Sequence, residues 1–289
     1  MNDEYANYQR YAKLTAYDDD GNTVYETDLG QRMTFEISKA MKAAPNHCAV
    51  KVYTIDNEEA STVLTRASRI MLQAGDDESA GTIFRGSIID GFYKNDENPY
   101  LQLAALDGDS FFGSYISLAI GKGESLRQLV LKSAASCSAP IAVGMVSDSA
   151  ELTRLPRGCV LFGSTTDLLD DVARTINAAW FVNDERLYML TENDIDIGMS
   201  FTVDVENDLV GVPVSDAWSC AFSHRIDSRV MLGATCYFDD PEAVVGVFRV
   251  VSVNVIGDTL DGEWRMNVWG MRQEQNGPAM TALTRNVWR

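Results

Sequence analysis

Arg32-Met33-Thr34-Phe35-Glu36-Ile37-Ser38 alternates apolar and polar side chains without a break. Successive side chains of a strand point to opposite faces, so Met33, Phe35 and Ile37 share one face and Thr34, Glu36 and Ser38 the other. The pattern predicts a strand with one buried face. It returns near the other end of the chain, where Val251, Val253 and Val255 alternate with Ser252 and Asn254. Half-buried strands in both outer thirds predict a mainly β protein.

Upstream of the first strand, Asp18-Asp19-Asp20-Gly21-Asn22 reads as a hairpin turn, because Asp, Asn and Gly accept left-handed backbone angles. Downstream, Val50 to Ile55 is a second strand. Asp56-Asn57-Glu58-Glu59 then supplies a cap and first-turn acids, and Ala60, Val63, Leu64, Ala67 and Ile70 keep helical spacing. Thr82 to Ile89 and Leu101 to Leu106 add strands. Residues 1–107 are therefore expected to form a β-domain with one helix.

The middle, 108–195, reads as α+β. Leu126, Leu129, Val130 and Ala134 mark one amphipathic helix, and Leu168, Leu169, Val172, Ile176 and Ala179 mark another that starts at Ser164 and Thr165. Trp180 to Val182, the turn Asn183-Asp184-Glu185 and Leu187 to Leu190 read as a hairpin. Residues 196–289 return to β, with strands expected at Trp218 to Phe222, Arg229 to Tyr237, Val244 to Val255 and Trp264 to Trp269.

Composition limits the function. The chain has 289 residues, 46% of them hydrophobic and 23% charged, which suits a folded core and argues against disorder. No run of about 18 apolar residues appears, so no membrane-spanning helix is expected. The acidic start Met1-Asn2-Asp3-Glu4 is unlike a secretory signal, which leads to an expectation of manufacture in a cytoplasm. The net charge of −18 disfavours a grip on nucleic acid and does not exclude a surface past which DNA slides. Cys48, Cys137, Cys159, Cys220 and Cys236 are odd in number and widely spaced, and are expected to be buried thiols.

Chemistry-bearing patterns are absent. His47 and His224 are the only histidines, and Gly-x-Ser-x-Gly does not occur. His47-Cys48 and Cys220…His224 lack zinc-site spacing. Gly121-Lys122-Gly123 lacks the rest of a phosphate-binding loop. Asp18-x-Asp20-x-Asn22 carries Thr23 where a calcium loop needs Gly. No catalytic residue, metal or cofactor is expected, and the reading is a structural protein. Trp264 and Trp269 fall on opposite faces of one strand and cannot form one sugar-binding platform.

The order of the pieces resembles the baseplate hub proteins of contractile-tailed, Mu-like and related bacteriophages. Arg32 to Ile37, Val50 to Asp56 and the acid-capped helix look like the opening of that family's first barrel. Thr82-Ile83-Phe84-Arg85-Gly86-Ser87-Ile88 is similar to a later strand of it. Ser164 to Leu190 resembles the middle domain, and Leu209 to Pro213, Ser223 to Tyr237 and Phe248 to Val253 resemble the second barrel. Arg229-Val230-Met231-Leu232-Gly233 lacks the proline often found there in the family.

The resemblance implies two tube-like antiparallel β-barrel domains, 1–107 and 196–289, flanking a small α+β domain at 108–195. It implies a homotrimer in the virion tail baseplate, assembled in the host cytoplasm. The partners implied are a tail tube protein, a central spike protein and baseplate wedge proteins, with genomic DNA passing unbound. Phe248, Val250, Trp264 and Trp269 are the interface candidates. A hexameric tube-terminating protein is the rival, and a tail-associated cell-wall hydrolase a more distant one.

Overall fold

The computed structural model describes residues 10–28, 30–76, 80–192, 194, 200–240 and 244–273. The acidic opening Met1–Glu4 lies outside the described residues. The protein is mainly β, with an α+β middle.

β1 (Arg10–Tyr17) and β2 (Thr23–Glu26) form a hairpin. Asp18 Oδ1 accepts the backbone N–H groups of Asp20 at 3.1 Å and Asn22 at 2.8 Å, and Gly21 sits at φ 82°. β3 (Met33–Ala40) and β4 (Asn46–Tyr53) follow, with Met33, Phe35 and Ile37 buried as the alternation requires. α1 (Asn57–Arg66) is capped by Asp56, whose carboxylate accepts from Glu59 N–H at 2.7 Å. β5 (Arg69–Asp76), β6 (Gly81–Lys94) and β7 (Tyr100–Asp107) complete the first segment. Helical spacing on paper continues to Ile70, yet the helix stops at Arg66 and Ile70 belongs to β5. There Ile70, Leu72 and Ala74 point inward together, and ladders to β1 and β6 on either side satisfy the backbone.

The middle begins with α2 (Asp109–Phe112), β8 (Tyr115–Ile120) and α3 (Leu126–Ser136), which starts on a Ser125/Gln128 capping box. β9 (Ala142–Val146), α4 (Asp148–Leu152) and β10 (Cys159–Ser164) lead to α5 (Thr165–Ile176), which ends on Asn177 in the left-handed region. That stop places Ala179, read from sequence as helical, in β11 (Ala178–Asn183), which pairs with β12 (Arg186–Thr191). β8 pairs with β10, and β9 runs parallel to β12. These elements enclose their own hydrophobic core, built on Leu129, Val130, Leu169, Val172, Trp180 and Val182.

The last segment holds β13 (Ser200–Thr202), β14 (Val214–Ser215), β15 (Ser219–His224), β16 (Thr235–Asp240), β17 (Val244–Asp258) and β18 (Trp264–Arg272). The strand expected from Arg229 begins only at Thr235. Before it, the Asp227 carboxylate holds the Arg229 side chain and backbone in a turn.

The two outer segments join. Thirteen strands form one sheet in the order β14-β15-β18-β17-β3-β4-β7-β6-β5-β1-β2, with β16 beside β17 and β13 beside β16. No ladder among the described residues closes either segment on itself. One hydrophobic core spans both, with Leu14, Ile37 and Phe84 from the first and Phe222, Phe248 and Val253 from the last.

The sheet contains a repeat. The first segment orders its strands β3-β4-β7-β6-β5-β1, and the last orders them β14-β15-β18-β17-β16-β13. Apart from β2 and α1, which have no counterpart among the described residues of the last segment, the chain connectivity is the same, except that β13 joins at the outer position of β1 and runs parallel to its neighbour. Each unit has one long strand with a bulge at mid-length: β6 slips against β7 between Ile88 and Asp90, and β17 slips against β18 between Val250 and Ser252. Aligning the two bulges matches Asp90 with Ser252, Ala104 with Trp269, Ala49 with Ala221 and Glu36 with Val214. Cys48 and Cys220, both fully buried, then fall at equivalent positions.

Candidate assembly surfaces

The first surface is the seam between the repeats. β3 pairs antiparallel with β17 past its bulge, from Ala40 opposite Ser252 to Thr34 opposite Asp258. Phe35 lies opposite Gly257, and a Cβ there would come within 2.2 Å of its ring. Only glycine fits against that ring. Trp264 stands edge-on to Phe35 at 5.7 Å and donates to Asp76 Oδ1 at 3.0 Å. At the end of the seam Arg32 pairs with Asp258 at 2.9 Å. Burial pushes the Asp258 carboxyl up, but Arg32 and the Leu260 N–H outweigh it and hold the group below the usual range.

The second surface fastens the middle to the first segment. Lys39 continues the inward series Met33, Phe35, Ile37 and is almost fully buried. Its ammonium donates to Asn183 Oδ1 at 3.1 Å and to both Asp184 oxygens, at 2.8 and 2.9 Å. Asp107, fully buried at the end of β7, accepts the N–H groups of Asp184 and Glu185, each at 2.7 Å. Those two residues sit at φ 51° and 61°, which turns their N–H groups onto one carboxylate. Asn46 donates to Asp107 at 3.2 Å and to Val182 O at 2.8 Å, and accepts from Ala40 N–H at 3.1 Å.

Burial, with the Asp184 charge beside it, pushes the Asp107 carboxyl up to about 6, against the pull of Lys39 and the two N–H donors. The folded value lies above the unfolded one, so the native state holds a proton that the unfolded chain has released. Stability from this group therefore falls as pH rises from about 4 to about 6, by roughly 3 kcal/mol in all. In Asp107→Asn that component is expected to vanish. Urea denaturation at several pH values should show the stability difference between variant and wild type sloping through this window; parallel curves would refute it.

A buried arginine ties the end of the middle segment to the last unit. Arg249 on β17 donates to Thr191 O at 2.6 Å and to Asp194 O. Burial pushes its guanidinium down to about 10, opposed by Asp194 and Glu192. Beside it, Phe248 and Val250 are wholly buried inside the chain, Phe248 edge-on to Phe238 at 5.9 Å. Trp264 and Trp269 are partly buried against the same core, Trp264 on the face of Met266 and Val268 and Trp269 on the other. The structure thus does not gather the four residues singled out from sequence onto one exposed patch.

What is exposed and apolar lies elsewhere. The β8–β10 pair turns Tyr115, Val160 and Phe162 outward, Phe162 at 88% exposure. The two free edges of the repeats carry Ile89 and Phe92 on β6, and Val212, Val214 and Trp218 around β14. Sheet edges that carry exposed apolar side chains are templates on which another chain can pair.

The described residues offer little for catalysis. A cleft of about 700 Å³ lies between the first and middle segments; of its charged lining residues Asp19, Arg69, Asp109 and Glu185, Arg69 and Glu185 are bonded to each other. No group of three or more His, Cys, Asp or Glu able to hold a metal occurs among the described residues, and no described helix is long and apolar enough to cross a membrane. Cys48, Cys220 and Cys236 are pushed up by burial, to about 12, 11 and 12, far from a reactive thiolate.

No protein-family model and no curated protein sequence matches the chain. Solved structures do. The tail protein from Neisseria meningitidis MC58 matches with a TM-score of 0.59 at 12% identity, over 92% of this chain and 97% of that one. The chain shares the fold of phage tail proteins. The 43 kDa tail protein of prophage MuSo2 from Shewanella oneidensis matches at TM-score 0.57 and 10% identity, over 91% and 98%. The E. coli c3393 protein, a type VI secretion component described as similar to T4 tail proteins gp27 and gp5, matches at 0.59 and 10%, over 86% and 76%. The tail-protein fold extends over nearly the whole chain.

Lys39 and Asp107 were not singled out from sequence; Asp184 was read only as a turn residue, and Gly257 only as the start of a hairpin loop, whereas it lies within β17. One signal was present: Lys39 sits on the apolar face of an alternating strand, where a charge needs a partner.

Proposed function

We propose that the protein is a non-enzymatic structural component of a phage tail, the baseplate hub that joins a six-fold tail tube to a three-fold central spike. The observation that carries this is the internal repeat: two units of the same strand order, joined edge to edge in one sheet, in a chain with a tail-protein fold. A chain with two such units offers six around an axis from three copies, so a trimer can face a six-fold ring above and a three-fold spike below. A hexameric tube-terminating protein would need only one unit per chain. In this reading the working units are 1–107, 108–195 and 196–289. Tail tube, central spike and wedge proteins are the partners, and the tail baseplate of the virion is the location. The charge of −18 suits a channel wall that repels DNA phosphates and lets the genome pass.

The test is the symmetry of this chain in an assembled particle, read by electron microscopy. Three copies around the axis are expected. Six copies would move the protein to the tube, and a peripheral position would sink both readings.

A further inference from the structure

We infer that neighbouring copies join by adding β14 of one chain, antiparallel, to the β6 edge of the next, in the register that β3 and β17 use within the chain. This deepens the ring reading and rests on it.

The argument runs from the repeat. Inside the chain, the outer strand of the first unit, β3, pairs with the long strand of the last unit beyond its bulge. The counterparts of those partners are β14 and the half of β6 beyond Ile89. Among the described residues both counterparts lack a partner strand on their outer edge: β14 ends the sheet, and Asp90–Lys94 pair on one side only, with β7.

Main-chain parity agrees with the equivalence. Met41 N–H donates to Val251 O, so the odd-numbered residues of β3, Ile37 among them, bond toward β17. Asp216 N–H donates to Ser219 O, so Val214 and Asp216 bond inward to β15 and Ser215, the counterpart of Ile37, bonds outward. On β6, the counterpart of Val253 is Gly91, whose N–H has only the neighbouring Asp90 carboxylate as acceptor, at 2.9 Å. That is an outward-facing ladder donor awaiting a strand. The apolar side chains agree too. Val214 is 72% and Phe92 45% exposed, on the two edges the pairing would bring together.

The register follows. Glu36 pairs with Ile256 within the chain, and their counterparts are Val214 and Lys94. Val214 therefore faces the partner's Lys94, and Ser215 the partner's Tyr93. Pro213, equivalent to Phe35, has no N–H and leaves one outward ladder bond unmade. β14 of one copy meets β6 of the next at every joint, so the contact is head-to-tail, the kind that closes as a ring when the rotation per joint divides the circle.

Two double variants test this. Val214→Cys with Lys94→Cys places thiols at opposed positions, with Cα atoms about 4.5 Å apart in the narrow antiparallel pair. Val214→Cys with Phe92→Cys is two residues off register, beyond disulfide reach. Both change exposed side chains, and circular dichroism checks that both fold. Mild oxidation of the first is expected to give a reducible ladder of dimer and trimer, and of the second only monomer. A trimer by native mass that does not cross-link at 214 and 94, or cross-links equally off register, overturns the strand pairing and leaves the ring. A chain that stays monomeric and uncrosslinked at every concentration overturns the ring and the pairing together.

Discussion

Lys39→Met is expected to destabilise the protein by about 3–5 kcal/mol, the cost of removing one partner from a buried ion pair. The side chain of Lys39 is 5% exposed and holds both oxygens of Asp184, with Asp107 close enough to feel its charge. Methionine fills the space but leaves two carboxylates near each other with no cation between them. The sign of the pH dependence follows. Lys39 pulls the Asp107 carboxyl down, so without it that group titrates still further above its unfolded value. The loss should therefore be larger at pH 7, where wild-type Asp107 is ionised and gains from Lys39, than at pH 5, where it holds a proton and does not. Urea midpoints of wild type and variant at the two pH values measure this. An equal loss at both would show that Lys39 does not act through the Asp107 charge, leaving its bonds to Asp184 and Asn183 and its packing. Because the clamp joins β3 to the β11–β12 turn, the middle segment should also gain protease sensitivity before the sheet does.

The seam between the repeats should be comparably sensitive. Gly257→Ala puts a methyl group within 2.2 Å of the Phe35 ring, and the backbone atoms of β3 and β17 around it are held by ladders on both sides. Overpacking of this kind costs about 1–3 kcal/mol. Phe35→Ala alone removes a buried ring packed on Trp264 and should cost about 3–5 kcal/mol. The two changes share one space, so the double variant should cost less than the sum, with a coupling of about 1–3 kcal/mol. Additive costs in chemical denaturation would mean that the ring and the glycine do not compete, and would remove the reason for glycine at 257.

The expected particle symmetry and the disulfide register test larger units by the same logic. The clamp and seam variants ask whether one chain holds its two repeats and its middle segment as described. The assembly experiments ask whether the outer edges repeat that joint between chains.

Local pattern by itself determined much of this protein. Met33 to Ile37 and Val251 to Val255 announced strands because a period of two is a property of the extended backbone, and burial of one face follows from it. Asp56 and Ser164 announced helix starts because a cap bonds within three residues. The mainly β class with an α+β middle followed from these. β1 and β5 were not legible: β1 falls in an opening, Tyr5 to Ala16, that reads only as polar and aromatic, and Ile70 reads as helical, until ladders to each other and to β2 and β6 give these strands partners. Only the tertiary structure showed that the outer segments share a sheet and a core. The pairing of Ile37 with Val255 joins residues whose patterns are the same whether they meet or not. It likewise placed Phe248 and Val250 in the core, and brought Lys39, Asp107 and Asp184 together from three distant parts of the chain. Sequence records which face of each element must be covered. What covers it depends on contacts across the whole chain, which no local pattern contains.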